Sequence, residues 1–217
     1  VGTTNRTRVG DYAAAINENT RLLMLVHPSN FHISGFTAKP SRQEVVDLGK
    51  KAGIPVYEDL GSGCLTPLAE FGVNEPTVRE SLDDGVSLVS FSGDKMLGAG
   101  QAGFLAGEED LIVRLRRHPM FRALRVDKVL YEVLERALRA TLLEQWEDLP
   151  ALAMIRAGTD GIRERALRLA DRIGVGEPAV VRGESVIGGG STPDRRLPTW
   201  LVALPGDPVA LEGRLRL

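Results

Sequence analysis

Lys95 ends the segment Val86-Ser-Leu-Val-Ser-Phe-Ser-Gly-Asp-Lys95, and its position suits it for chemistry. A short apolar run there ends in a small polar turn that contains glycine. Such a turn places the amine at the edge of a sheet, beside backbone N–H groups, which suits a lysine that forms a Schiff base with a carbonyl cofactor. The competing interpretation is a surface lysine that follows a strand.

Two other apolar runs also end in polar residues. His27-Pro-Ser-Asn30 follows the first run, and Asp59 with Gly61-Ser62-Gly63 closes the second. Ligands of open α/β sheets lie beyond the carboxyl ends of the strands. Three such ends at one edge therefore predict a ligand site. For pyridoxal phosphate, Asp59 could keep the ring nitrogen protonated, so that the ring accepts electrons.

Each of these side chains also has a simpler structural role. Asp59 could cap a turn at the end of a strand, which is common for aspartate. Ser92 could bind a phosphate or only form its turn. Asp94 could orient the lysine or a substrate, or only cap a turn. The residue types leave both roles open at each position.

The elements that must position these groups alternate between strand and helix. Ser41 and Glu44 have capping-box spacing and Gly53 suits a C-cap, so a helix is predicted between them. Apolar runs predict strands at 21–27, 54–60, 86–91 and 101–106, and helices are predicted at 41–52 and 77–84. This order predicts a largely parallel sheet with flanking helices, its strands buried on both sides.

The pattern changes after Gly107. Helices are predicted at 108–117, 127–146 and 159–173, and strands at 180–186 and 198–204. The apolar stripe of the long helix is Val129, Val133, Leu134, Leu138 and Leu142. The predicted fold class is α/β followed by a smaller α+β part, with domains at 1–120 and 121–217.

Composition limits the class of protein. The chain has 217 residues, 43% of them hydrophobic, and a net charge of −2, which is an ordinary globular balance with no whole-chain argument for nucleic acid. Its one cysteine, Cys64, fits a reducing compartment and is predicted to be a buried filler. No apolar run could span a bilayer. His32 and His118 lack metal-ligand spacing, so no metal is predicted.

Long stretches of the chain resemble a known family. They are VGTTNRTRVGDYAAAINENT, LMLVHPSNFHISGFT, VYEDLGSGCL, VSLVSFSGDKMLGAGQAGFLAG and HPMFRALRVDK. These stretches resemble the bacterial L-seryl-tRNA(Sec) selenium transferases, fold-type-I pyridoxal-phosphate enzymes of the aspartate aminotransferase superfamily. The resemblance is close over residues 1–140 and reaches residue 204 more loosely through GGGSTPDRRLPT. It implies a partial fold-type-I large domain followed by a smaller α+β domain.

The resemblance implies a cofactor role for four residues. Lys95 is expected to hold pyridoxal 5'-phosphate as an internal aldimine, and Asp59 to pair with the pyridine nitrogen. Asn30 is expected near the phenolic oxygen, and Ser92 is expected to contact the phosphate.

Four further residues are expected at the substrate. Arg122 and Arg125, in the FRALR stretch, are implied in binding selenophosphate, because arginine forks match phosphate oxygens. The alternative for both is solvent-facing charge. Asp94 and Arg6 are expected to face the same pocket.

The implied reaction converts L-seryl-tRNA(Sec) to L-selenocysteinyl-tRNA(Sec) with selenophosphate, through an aminoacrylyl intermediate, in a large homo-oligomeric ring of the bacterial cytoplasm. The chain is interpreted as a fragment that lacks the family's N-terminal domain and its extreme C-terminus. Two alternatives remain at this point. One is a related pyridoxal-phosphate lyase or aldolase that acts on a small amino acid or sugar acid. The other is a non-catalytic fragment that forms an oligomer core.

Overall fold

The chain, seen in a computed structural model, divides by its residue contacts into two units. The first comprises Val1–Met154 with Gly188–Asp194, and the second comprises Ile155–Ile187 with Arg195–Leu217. The structure describes residues 1–3, 5–29, 31, 33–173, 177–188, 192 and 196–216. This division does not test the family's domain boundary, so the boundary at residue 120 stays a prediction.

A four-stranded sheet lies at the centre of the first unit. Its strands run in the order β1 (Leu23–Val26), β2 (Val56–Gly61), β3 (Leu88–Ser92) and β4 (Gly103–Gly107). β1, β2 and β3 are parallel, whereas β4 pairs antiparallel with β3. The predicted α/β fold with a mostly parallel sheet is therefore confirmed, and all four strands were expected from their apolar runs.

Helices lie between and beside these strands along the chain. They are α1 (Val9–Ala15), α2 (Arg42–Ala52), α3 (Val78–Asp83), α4 (Glu109–Arg117), α5 (Pro119–Ala123), α6 (Lys128–Leu142) and α7 (Pro150–Arg156). The sequence predicted α2, α3, α4 and α6, but not the short helices α1, α5 and α7. These short helices lack a long apolar periodicity, which was the signal on which the prediction of helices depended.

The helix caps act as their sequence spacing predicts. The Ser41 hydroxyl accepts a hydrogen bond from the backbone N–H of Glu44, whose carboxylate accepts the N–H of Ser41 at 2.8 Å. Gly53 ends α2 in the left-handed region, at φ +66°. Thr77 and Glu80 form the same reciprocal pair at the start of α3. These local contacts satisfy backbone donors that a helix start otherwise leaves unpaired.

The core lies on one face of the sheet. Val56 and Leu60 of β2 and Val89 of β3 are buried in one cluster with residues of α2 and α3. The alternate positions are half-buried, and in β1 Met24 and Val26 are 45% and 62% exposed. The prediction that the strands are buried on both sides is therefore wrong for the described residues, because side chains on the second, open face are half-buried or exposed. The site lies on the open face.

The apolar stripe of α6 is mostly uncovered. Leu134 is buried, but Val129 and Leu142 are 76% and 82% exposed. The helix also ends at Leu142 rather than near Trp146, because the chain turns at Glu144, at φ +55°, before a short 3-10 turn. The prediction that one long stripe packs on a core is wrong here, since only its inner side contacts the sheet unit.

The second unit is a small α+β structure, as predicted. α8 (Thr159–Ile173) packs against an antiparallel pair of strands, β5 (Ala179–Val186) and β6 (Arg196–Ala203), and α9 (Pro208–Leu215) follows. The guanidinium groups of Arg163 and Arg182 both lie over the ring of Trp200, at 5.3 and 5.4 Å from its centroid. In the part of the chain that the structure describes, no helix is long and apolar enough to cross a membrane.

Arg42 connects three elements of the first unit. Its Nε lies 2.8 Å from a carboxylate oxygen of Glu58 on β2, and one terminal nitrogen lies 2.6 Å from Asp84 at the end of α3. The Glu58 side chain is only 8% exposed, so it depends on Arg42 for a compensating charge. A buried carboxylate that loses its only close cation is strongly destabilising.

We expect Arg42→Met to lower the free energy of unfolding by about 3 kcal/mol, because it leaves Glu58 buried without a cation. Urea unfolding followed by circular dichroism measures the change. Arg79→Met, at an exposed position of α3, is the matched control and is expected to change the free energy by less than about 0.5 kcal/mol. Equal effects of the two substitutions would contradict the assigned role of Arg42.

Candidate active site

The carboxyl ends of β2 and β3 open onto a cleft of about 680 Å³. Asp59, Ser92 and Lys95 line this cleft together, although Asp59 and Lys95 lie 36 positions apart in the chain. The lining also has an apolar part that includes Phe104 and Phe121. Three of the predicted site residues thus share one concave surface at the predicted edge of the sheet.

A polar ladder on the open face of the sheet orients Asp59. The Ser90 hydroxyl and the Gly61 N–H each donate a hydrogen bond to Oδ1 of Asp59, both at 3.1 Å. Tyr57 contacts the Ser90 hydroxyl in turn, with 2.6 Å between the two oxygens. Both donors bind the same oxygen, Oδ1, so Oδ2 takes part in neither hydrogen bond. The two bonds hold the carboxylate in one orientation.

Sequence reasoning missed Tyr57 and Ser90. The period of two along a strand could have placed Tyr57 on the same face as Asp59. The pairing of Asp59 with Ser90 is a matter of strand register, which no local pattern reveals.

Lys95 lies in a turn that follows β3. The turn is held by the backbone N–H of Met96, which donates to the carbonyl of Ser62 at 3.0 Å. The amine of Lys95 reaches towards Gly61, where an added β-carbon would lie 3.9 Å from Nζ and 2.9 Å from the Ser29 hydroxyl. Gly61 also has φ +65°, a conformation that side chains disfavour. Glycine therefore keeps the space beside the lysine open.

Ser92 and Asp94 contact each other. The Ser92 hydroxyl donates a hydrogen bond to the Asp94 carboxylate. Ser92 lines the cleft, whereas Asp94 is exposed and is not among the residues that line it. A phosphate bound by Ser92 would have to replace Asp94 as the acceptor of this proton. The predicted roles of both residues stay predictions.

The two predicted arginines occupy different places. Arg125 lines a second pocket of about 270 Å³, which adjoins the cleft through shared residues such as Phe121 and Leu124. Arg116 of α4 lines the same pocket and was missed, because basic residues in a last helical turn are explained by the helix dipole. Arg122 is exposed on α5 and is not among the residues that line either pocket.

Arg6 is not among the residues that line the cleft. The Nε of Arg6 donates to the carbonyl of Phe36 at 3.1 Å, and the guanidinium lies 5.9 Å from the Phe36 ring centroid. Asn30 lies outside the described residues, as does His32. Their predicted roles are therefore not tested.

Cys64 is a buried residue, as predicted. Its thiol donates to the carbonyl of Thr66 at 3.1 Å, and burial raises the pKa of the Cys64 thiol to about 12. His118 caps α5, since its Nδ1 accepts the N–H of Met120. Among the described residues, no group of three or more His, Cys, Asp or Glu side chains is arranged to hold a metal ion.

The residues of the cleft fit pyridoxal phosphate. A lysine amine and a carboxylate with a set orientation lie in one cleft, and the glycine at position 61 leaves room that a β-carbon would fill. Lys95 would hold the carbonyl carbon of the cofactor and Asp59 its ring nitrogen. The apolar wall offers a surface for a flat aromatic ring.

The fold is that of the fold-type-I pyridoxal-phosphate enzymes. A solved structure titled "Structure of D-Glucosaminate-6-phosphate Ammonia-lyase" has the same fold, with a TM-score of 0.60 over 94% of this chain and 47% of that chain. The two sequences are 18% identical, so this likeness shows the fold alone. The family described as "SelA: L-seryl-tRNA selenium transferase" matches residues 1–216. The chain belongs to this L-seryl-tRNA selenium transferase family.

Named relatives support the same family. The chain is 43% identical to the L-seryl-tRNA(Sec) selenium transferase of Aquifex aeolicus, over 100% of this chain and 50% of the relative. It is 45% identical to that of Clostridium perfringens and 44% identical to that of Geobacter metallireducens, each over 100% of this chain and 49% of the relative. The chain thus spans about half the length of the curated relatives it matches.

We expect Cys64 to resist alkylation at pH 8 in the folded protein and to react after unfolding in urea. The pKa of about 12, against 9.0 for an ordinary thiol, leaves about a thousandth of the usual thiolate at that pH. Because folding raises this pKa, the associated stability is present below pH 9 and is lost as the pH rises towards 12. Mass spectrometry of the iodoacetamide product measures the reaction. Fast labelling without denaturant would contradict the burial.

Proposed function

We propose that the protein is a pyridoxal-phosphate-dependent selenium transferase, which converts L-seryl-tRNA(Sec) to L-selenocysteinyl-tRNA(Sec) with selenophosphate as the selenium donor. The observation that carries this proposal is the common cleft of Lys95 and Asp59 in a chain of this family. The bacterial cytoplasm is the proposed location.

The residues of the chain have distinct roles in this proposal. Lys95 would hold the carbonyl carbon of the cofactor, and its amine, when free, would take the proton from Cα of the seryl group. Asp59, kept in one orientation by Ser90 and Gly61, would hold the proton on the ring nitrogen. When bound, pyridoxal phosphate supplies an electron sink for the charge left on Cα.

The second half of the reaction replaces a hydroxyl by selenium. The hydroxyl leaves Cβ of the seryl group as water, and selenium from selenophosphate bonds to Cβ. A water molecule accepts the phosphoryl group as the selenium–phosphorus bond breaks, so that phosphate is released. This sequence, with the aminoacrylyl intermediate that the resemblance implies, is part of the proposal. Arg125 supports it because its pocket adjoins the cleft and its guanidinium suits a phosphate group. Arg122 is proposed to bind the same anion because the family resemblance implies it.

A homo-oligomer is also part of the proposal. Leu124, Val129 and Leu142 on and beside α5 and α6 are between 73% and 82% exposed. Exposed apolar side chains in such a group are typical of surfaces that another chain or segment covers. The proposed assembly is the large ring of the family, in which partner subunits complete each site.

A lyase is the second candidate function. The solved structure with the same fold is titled an ammonia-lyase, and a lysine with a carboxylate serves that chemistry equally well. Selenocysteinyl-tRNA formation from authentic seryl-tRNA(Sec) and selenophosphate separates the two. Absence of this product, together with release of ammonia from a small amino acid or an amino sugar acid, would favour the lyase.

We expect Lys95→Ala to abolish the Schiff-base absorbance that appears when pyridoxal phosphate is added to the protein. The reason is that the imine needs the Lys95 amine. Lys128→Ala, which removes an exposed lysine at the start of α6, is the control and should keep the wild-type spectrum. Identical spectra for wild type and Lys95→Ala would exclude Lys95 as the anchor.

We expect Arg125→Ala to raise the KM for selenophosphate by about 10- to 100-fold, because hydrogen bonds to charged groups contribute about 1.5–3 kcal/mol. Arg122→Ala is expected to have a smaller effect, since its side chain lies outside the pocket. Arg117→Ala, an exposed residue of α4, is the control. An unchanged KM in Arg125→Ala would remove this residue from the donor site.

A further inference from the structure

We propose that Ser29 positions the amine of Lys95 through its hydroxyl group. This inference rests on the proposed function, because it takes Lys95 as the residue that binds the cofactor. Ser29 lies in the loop that follows β1, whereas Lys95 follows β3. The two residues therefore meet from opposite sides of β2.

Gly61 shows how close the two groups are. The point where a β-carbon of Gly61 would stand is 2.9 Å from the Ser29 hydroxyl oxygen and 3.9 Å from Nζ of Lys95. The missing side chain leaves a gap between the hydroxyl and the amine. No hydrogen bond is formed between the two groups in the described structure; a different lysine rotamer or a bridging water molecule would form one.

The loop of Ser29 is held at several points. The N–H of His27 donates to the backbone carbonyl of Asp59 at 2.8 Å, and the N–H of Ser29 donates to the carbonyl of His27 at 2.8 Å. The imidazole of His27 lies 3.2 Å from the carboxylate of Glu75, whose side chain is only 3% exposed. The distance is that of an ion pair, but the contact is not a hydrogen bond. That Glu75 oxygen has no hydrogen-bond partner among the described residues. These contacts hold the backbone that carries the Ser29 hydroxyl in place.

A fixed acceptor matters for a lysine in particular. The ammonium group has three donors on a flexible stem that carries about 2 kcal/mol of rotamer entropy. The carboxylate of Asp59 already receives two hydrogen bonds and is assigned to the cofactor ring. The Ser29 hydroxyl is an uncharged hydrogen-bond acceptor. It can therefore hold the amine near Gly61 without acting as a counterion in competition with Asp59.

The test measures the reactivity of the amine in the intact protein without its cofactor. A hydrogen-bonded amine must lose its partner before it attacks a reagent. Ser29→Ala is therefore expected to speed reductive methylation of Lys95 by about fivefold, the equivalent of one ordinary hydrogen bond. Peptide mass spectrometry compares Lys95 with Lys39, Lys50, Lys51 and Lys128 in the same sample, and those four are expected to keep their rates.

Matched variants separate the hydroxyl from packing. Ser29→Thr keeps the hydroxyl and should react like wild type, and Ser34→Ala, at an exposed serine of the same segment, should do so too. Ser29→Cys keeps the size of the side chain with a weaker acceptor, so it should also speed the reaction even if Ser29→Ala does not fold. Unchanged labelling in both Ser29→Ala and Ser29→Cys, or equal acceleration in Ser29→Thr, would overturn the proposal. Failure of wild type to bind pyridoxal phosphate at Lys95 would instead count against the proposed function, and the labelling result would stand.

Discussion

The pairing of β2 with β3 is the interaction on which the site depends. Parallel register sets Asp59 opposite Ser90, and it brings the turn with Lys95 to the same edge of the sheet. Side chains alternate between faces along a strand, so a slip of one residue would turn Asp59 into the core and a valine or leucine towards the cleft. The register shift between Asp59 and Gly61 then ends regular pairing where the cleft begins.

One face of the sheet contributes mainly to stability, and the other carries the candidate site. Valine and leucine side chains on one face pack against α2 and α3, and burial of such side chains is the main favourable term in folding. On the other face, Tyr57, Ser90 and Asp59 form a chain of hydrogen bonds that a packed apolar face would not admit. The packed core therefore lies on the opposite side of the sheet from these three polar side chains.

The central residues of the candidate site are more constrained than the residues around them. Lys95, Gly61 and Asp59 are held by backbone and side-chain contacts within the first unit, whereas Arg122 and the outer residues of α6 are exposed. The chain spans about half the length of its curated relatives, and β1 and α6 carry several exposed apolar residues. Asp59 lies on a strand and Lys95 in the turn that follows one, whereas Arg122 lies on a short helix and Arg125 in the loop after it. Loops are less constrained than strands, so these positions differ in their tolerance for change.

Local chemistry determined much of this protein from the sequence alone. The caps of α2 and α3, the four strands of the sheet, the buried Cys64 and the lysine at a strand end all follow from contacts within a few residues. Tertiary structure alone decided which residues meet: Ser90 with Asp59, Ser29 beside Lys95, Arg116 beside Arg125, and Arg6 with Phe36. It also decided that the sheet is buried on one side and that the stripe of α6 is open. The physical reason is that caps and turns are short-range, whereas register and helix packing bring together residues that lie tens of positions apart, and no local pattern encodes those distances.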